Sequence, residues 1–138
     1  MITKNQIREH CEKYTFKVQS TTVNKGITSI EYFLRKDHLL KGRILISRRF
    51  NEVDWMLSGV SCNTRGVGKL LYYLAMDKVY PNYITGDDAG DSATSMRVWN
   101  ALEKVDFVDK KYYPYERDDE ESINFATRFK FCITCGNG

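Results

Sequence analysis

The spacing of apolar residues divides the chain into strand-like and helix-like segments. Residues 3–13 predict a short helix in which Thr3 is the N-cap, since its hydroxyl can accept a hydrogen bond from the first turn. Alternating or continuously apolar stretches, typical of β-strands, follow. They are "YTFKVQS" (14–20), "ITSIEYFLR" (27–35), "RILISRRF" (43–50) and "VDWMLSGVSC" (53–62).

From Gly66 onward the apolar period becomes helical, and Pro81 ends the pattern. "YITG" (83–86) predicts a short strand, and residues 92–105 predict a second amphipathic helix. The remaining chain reads as two strands, 107–116 and 122–134, which form a hairpin.

The element order is therefore α-β-β-β-β-α-β-α-β-β, which predicts an α/β or α+β domain with a mixed sheet. We expect the sheet to be mostly antiparallel, with a central β-α-β crossover and a C-terminal β-hairpin. A chain of 138 residues is expected to form a single domain. Its parts would be the N-terminal helix (1–13), antiparallel strands (14–62), the β-α-β region (63–105) and the hairpin (106–138).

Composition excludes some classes of protein. No run approaches the roughly 20 apolar residues of a membrane span, and the N-terminus is too polar for a signal-peptide core. We therefore expect a cytoplasmic protein without a membrane partner. Cys132 and Cys135 form a single CxxC, which is at best half of a zinc site, so we expect reduced thiols and no metal.

Positive charge is concentrated in the first part of the chain. The formal net charge of +3 divides into +7 for residues 1–50 and −4 for residues 51–138. A basic half can attract nucleic acid or another polyanion, including a phosphate-rich cofactor. Solvated faces of the strands would explain the same charges.

A glycine-rich turn, "NTRGVGK" (63–69), joins the fourth strand to the helix that follows. The first amides of a helix have no partners within the helix and, together with its dipole, favour an anion. The turn matches neither the Walker loop nor the Gly-x-Gly-x-x-Gly dinucleotide fingerprint. A phosphate cradle and a plain strand-to-helix turn both remain open from these residues.

Two segments, Asn63 to Gly68 and "SMRVWNALEKVDF" (95–107), resemble motifs of the GCN5-related N-acetyltransferase (GNAT) superfamily. The family's loop reads Gln/Arg-x-x-Gly-x-Gly/Ala, and its later helix contains Asn-x-x-Ala-x-x-Leu-Tyr-Glu-Lys-Leu-Gly-Phe. The resemblance extends to element order over residues 14–134, and the short acceptor region is similar to that of small phage-encoded members. It implies acetyl-CoA as cosubstrate, with its pyrophosphate on the loop amides and its pantetheine arm on the preceding strand. The implied cofactor-binding residues are Val60, Ser61, Cys62, Thr64, Arg65, Gly66, Val67, Gly68, Lys69 and Ser95.

Catalytic residues are harder to assign. Leu102 stands where the family often has the Tyr that protonates the departing CoA thiolate, so Tyr113 is a candidate replacement. Asp54 and Glu31 are candidates for the base that keeps the amine neutral, although each is also explained as a solvated carboxylate at a strand. A backbone N–H of the fourth strand near Ser61 or Cys62 would stabilise the oxyanion.

The resulting interpretation is an acetyl-CoA-dependent N-acetyltransferase that acts on an amine by direct transfer. The acceptor, a small molecule or a protein, is left open, as is the oligomeric state. The main alternative is a catalytically inactive binding or assembly protein with the GNAT fold. A nucleic-acid binder that uses the basic half is a third hypothesis.

Overall fold

The computed structural model describes residues 2–86, 93–116 and 123–135, and these ranges contain three helices and seven strands. The helices are α1 (Lys4–Cys11), α2 (Gly68–Val79) and α3 (Ala93–Glu103). The strands are β1 (Thr15–Asn24), β2 (Ile27–Lys36), β3 (Leu39–Arg49), β4 (Trp55–Cys62), β5 (Ile84–Thr85), β6 (Asp109–Glu116) and β7 (Ile123–Lys130). The predicted element order is confirmed, and Thr3 caps α1 with both hydrogen bonds of a capping box.

All seven strands form one sheet in the order β1-β2-β3-β4-β5-β7-β6. Five of the neighbouring pairs are antiparallel, and β4 and β5 are parallel because α2 connects them. The fold is therefore a mixed α+β fold with a mostly antiparallel sheet, as the sequence predicts. The C-terminal hairpin of β6 and β7 is also present.

The core lies between one face of the sheet and the helices. Leu71 of α2 and Ile44 and Ile46 of β3 are almost completely buried, and Trp99 of α3 stacks on Phe129 of β7 with ring centroids 5.2 Å apart. Burial of these large apolar side chains supplies the main driving force for folding. No helix in the described ranges is long and apolar enough to cross a membrane.

Two tight turns connect the first three strands. Lys25 and Gly26 join β1 to β2, and Asp37 and His38 join β2 to β3; all four residues have positive φ. Two-residue turns of this kind match the twist of the strands on either side. The connection between β2 and β3 is thus shorter than the predicted "KDHLLKG", and β3 begins at Leu39.

The C-terminal segment departs from the prediction. Strand β7 ends at Lys130 rather than at 134, because the backbone of Ile133 turns toward the helices. Its N–H donates to Asp77 over 2.8 Å and its carbonyl accepts from Arg8 over 3.0 Å. Cys132 and Cys135, with Cα atoms 5.4 Å apart, form a disulfide. The expectation of two reduced thiols here is wrong, because the turn brings the two side chains within bonding distance.

Candidate functional site

One edge of β4 is open where it approaches the glycine loop. Strands β4 and β5 pair only at Trp55 with Ile84 and at Met56 with Thr85. Beyond that point β4 continues to Cys62, and within the described ranges no strand pairs with residues 57–62 on that side. A free strand edge offers unpaired N–H and C=O groups to an extended ligand. The predicted pantetheine contacts Val60, Ser61 and Cys62 all lie on this stretch.

Asn63 links the start of the loop to the β2–β3 hairpin through hydrogen bonds. Its N–H donates to the carbonyl of Lys41 over 3.1 Å, and its Nδ2 donates to that of Leu40 over 3.0 Å. Its Oδ1 accepts from the hydroxyl of Thr64 over 2.9 Å. Asn63, which departs from the Gln or Arg of the GNAT motif, therefore anchors the loop to the sheet.

The loop then turns into α2 through two glycines. Gly66 has a φ of +87°, which a side chain would strain, and a Cβ placed there would meet no atom within 4 Å. Gly68 is the first residue of α2, and the residue before it, Val67, makes no side-chain capping bond. The amides of the first helical turn therefore have neither an intrahelical nor a side-chain acceptor from the cap. This arrangement suits an anion, and the exposed side chains of Arg65 and Lys69 add positive charge beside it.

An apolar groove of about 440 Å³ lies next to the loop, between the three helices. Gly66 and Lys69 lie at one side of it, and His10 of α1 lies at another. The apolar lining comes from Ile2, Ile7, Leu70, Tyr73, Val98, Ala101, Leu102 and Val105. The residue pattern of α1 predicts only a short helix, so the sequence does not indicate that α1 contributes to a site.

Asp54, a predicted base, serves to join three elements. Its Oδ1 accepts from the N–H of Tyr83 over 3.0 Å, and its Oδ2 pairs with Nη1 of Arg128 over 2.6 Å. The carboxylate side chain is only 9% exposed. With both oxygens engaged, it is better suited to holding β4, β5 and β7 together than to accepting a proton from a substrate.

Glu31 is connected to the open end of β4. Its Oε2 accepts from Nη1 of Arg43 over 2.9 Å, and Nε of Arg43 donates to the hydroxyl of Ser61 over 3.2 Å. Arg43 of β3 is directly opposite Ser61 of β4, and Glu31 of β2 is diagonal to Arg43, two residues from its opposite neighbour Phe33. Arg43 was not among the predicted site residues, because a basic residue on a half-buried strand looks the same in sequence as an ordinary solvated position.

Four further residues of interest lie in α2, α3 and β6: Tyr73, Ser95, Leu102 and Tyr113. The backbones of Ser95 and Tyr113 lie in α3 and β6, but their side chains lie outside the described part of the structure. Leu102 is 2% exposed and lines the groove. Tyr73 lines the same groove, and desolvation by burial raises the pKa of its hydroxyl, which stays protonated at neutral pH. No sequence signal separates Tyr73 from an ordinary core tyrosine.

Comparisons with known proteins provide no template for this site. Neither a protein-family model nor a curated protein matches the chain.

Proposed function

We propose that this protein is a GNAT-type acyltransferase that binds acetyl-CoA and acetylates an amine by direct transfer. One observation carries the proposal: the open edge of β4 leads directly into the glycine loop and the uncapped start of α2. An extended arm ending in a pyrophosphate needs these two features side by side. The element order, with its single parallel crossover between β4 and β5, is also the order that the GNAT resemblance implies.

Each part of the cosubstrate has a matching group in the protein. The pyrophosphate would lie against the amides of Gly66 and Gly68, where the absence of Cβ atoms permits close approach, while the N–H of Val67 between them donates to the carbonyl of Thr64 over 3.3 Å. Arg65 and Lys69 would neutralise its charge. The amide groups of the pantetheine arm would pair with the free edge of β4 at Val60 to Cys62, as an added strand pairs with a sheet.

The transfer itself requires two proton movements. The neutral amine attacks the thioester carbonyl, a C–N bond forms, the C–S bond breaks, and the amine proton passes to a base while the CoA thiolate accepts one. Both carboxylates are ion-paired, but the Glu31 side chain is 20% exposed against 9% for Asp54, and its partner Arg43 also contacts Ser61. Glu31 is therefore the stronger of the two base candidates. Tyr113 remains the proposed acid for the thiolate.

A catalytically inactive binding or assembly protein with the same fold is the second candidate. The observation that favours it is Leu102, which is buried and has no proton to donate where the resembling family often has Tyr. Under this hypothesis the loop still binds CoA, but the thioester remains intact.

Thermal unfolding in the presence of acetyl-CoA tests the binding step. A ligand at a hundredfold excess over its Kd adds about 2.7 kcal/mol of stability. For 138 residues, that corresponds to an increase in Tm of about 9 °C. Gly68→Glu should abolish the increase, because it places a carboxylate in the anion site. Thr22→Glu, on an exposed position of β1, adds the same charge far along the sheet and should leave the increase unchanged.

Two results would count against the proposal. If millimolar acetyl-CoA does not raise Tm, the cofactor site and the enzymatic function are both wrong. If Tm rises but no free CoA thiol and no acetylated product form across a panel of polyamines, amino sugars and peptides, the inactive binding protein is the better description.

A further inference from the structure

The sheet face opposite the helices is basic, and we call it the open face because no described helix covers it. Alternation along the strands and the cross-strand register assign its residues. Its cationic residues are Lys17, Arg35, Arg43, Arg49, Lys111, Arg128 and Lys130. The described acidic residues that face or contact these cations are fewer: Glu31 pairs with Arg43, Asp54 with Arg128 and Asp109 with Lys130. The open face therefore has a surplus of positive charge.

A row of side chains crosses four strands of the open face. Lys17 is directly opposite Phe33, Phe33 is opposite Arg43, and Arg43 is opposite Ser61. Three strand spacings make this row about 14 Å long. The guanidinium of Arg35 lies over the ring of Phe33, 5.4 Å from its centroid. An aromatic ring is thus surrounded by three cations on a surface open to solvent.

A second ring, that of Tyr83, lies beneath this face and is only 9% exposed. The ammonium groups of Lys111 and Lys130 each lie 4.9 Å from the centroid of Tyr83. Both lysines belong to the C-terminal hairpin, whereas the row across Phe33 belongs to the first four strands. Two cations of the open face are therefore held beside a buried ring, whereas the ring of Phe33 is partly accessible to solvent.

We propose that the open face binds single-stranded nucleic acid. Lysine and arginine neutralise phosphates, and the ring of Phe33, set among such cations, provides a platform on which an unpaired base can stack. Stacking distinguishes this partner from a duplex, whose bases are already stacked, and from an anionic membrane, which has no bases. The inference does not rest on the glycine loop, because none of the residues from Asn63 to Lys69 takes part in it; Glu31, Arg43 and Ser61 belong to both proposals, whereas Lys17 and Phe33 belong to the open face alone.

Fluorescence anisotropy with a labelled single strand tests the proposal. A strand of about 20 thymidines exceeds the roughly 4–16 nucleotides that single sheet-based binding domains cover. We expect binding at low salt that weakens as salt is added, with a slope of log K against log [salt] near −0.7 for each phosphate contact. Phe33→Leu, which keeps the apolar volume but removes the ring, should weaken binding by about fivefold or more.

Charge variants test whether binding depends on the open face or only on the net charge of the protein. Lys17→Glu should weaken binding and reduce the salt slope, whereas Lys78→Glu, an equal change at an exposed site on α2, should have little effect. Glu31→Gln should strengthen binding, because it removes the carboxylate that pairs with Arg43. Lys17 is exposed on an edge strand, so its variant remains a valid test if Phe33→Leu fails to fold.

The proposal is overturned if the single strand does not bind even at low salt. It is also overturned if Lys17→Glu and Lys78→Glu weaken binding equally, or if a duplex of the same length binds more tightly than the single strand. Thermal shifts with acetyl-CoA are measured on the same variants, so that loss of the cofactor site and loss of nucleic-acid binding are recognised separately.

Discussion

Replacing Gly66 or Gly68 by Ala should have opposite effects on stability, although the two positions are only two residues apart. Gly66 has a φ of +87°, where an alanine costs about 1–2 kcal/mol. Alanine also lowers the conformational entropy of the unfolded chain, which stabilises the folded protein by about 0.4–1 kcal/mol. The expected net loss of folding stability is therefore about 1 kcal/mol. Gly68 begins α2, and its new Cβ would be 3.7 Å from Sγ of Cys62, an ordinary contact. Gly68→Ala should therefore be neutral or stabilise by up to about 1 kcal/mol through helix propensity.

Differential scanning calorimetry measures the contrast. The entropy of unfolding of a 138-residue chain is about 0.29 kcal/mol per kelvin, so a loss of 1 kcal/mol lowers Tm by about 3–4 °C. We expect this decrease for Gly66→Ala and no decrease for Gly68→Ala. Equal decreases would refute the reasoning, because they would mean that both positions, and not backbone strain at Gly66 alone, require glycine.

Three further predictions concern the core, the ion pair and a buried thiol. Gly42→Val should lower the free energy of unfolding by about 1–3 kcal/mol in urea titrations, because its Cβ would lie 3.0 Å from Cδ1 of Leu71. Asp54→Asn should cost a similar amount, about 1–3 kcal/mol, since it removes the charge of the buried carboxylate that pairs with the partly exposed Arg128; a loss below 0.5 kcal/mol would contradict a structural role. Burial, with smaller contributions from nearby acidic groups, raises the pKa of Cys11 to about 11. At pH 8 the thiolate form of Cys11 is therefore scarce. Mass spectrometry should show that the exposed thiol of Cys62, at the end of β4, is alkylated long before Cys11.

The candidate site was only partly visible in the sequence. The glycine loop could be found because glycines between a strand pattern and a helix pattern form a local signal. The ion pair of Asp54 with Arg128 joins residues 74 positions apart, and no local pattern reports such a contact. The same is true of Arg43, whose neighbours Glu31 and Ser61 come from two other strands.

The sequence by itself determined the order and type of the elements, since apolar period and turn residues act over a few neighbours. It also determined where α1 begins and that α2 ends before Pro81. Only the tertiary structure decided the length of the β4–β5 pairing, the groove beside Gly66, the Cys132–Cys135 disulfide and the collection of cations on the open face. These features depend on residues far apart in the chain, and chain packing, rather than local preference, brings such residues together.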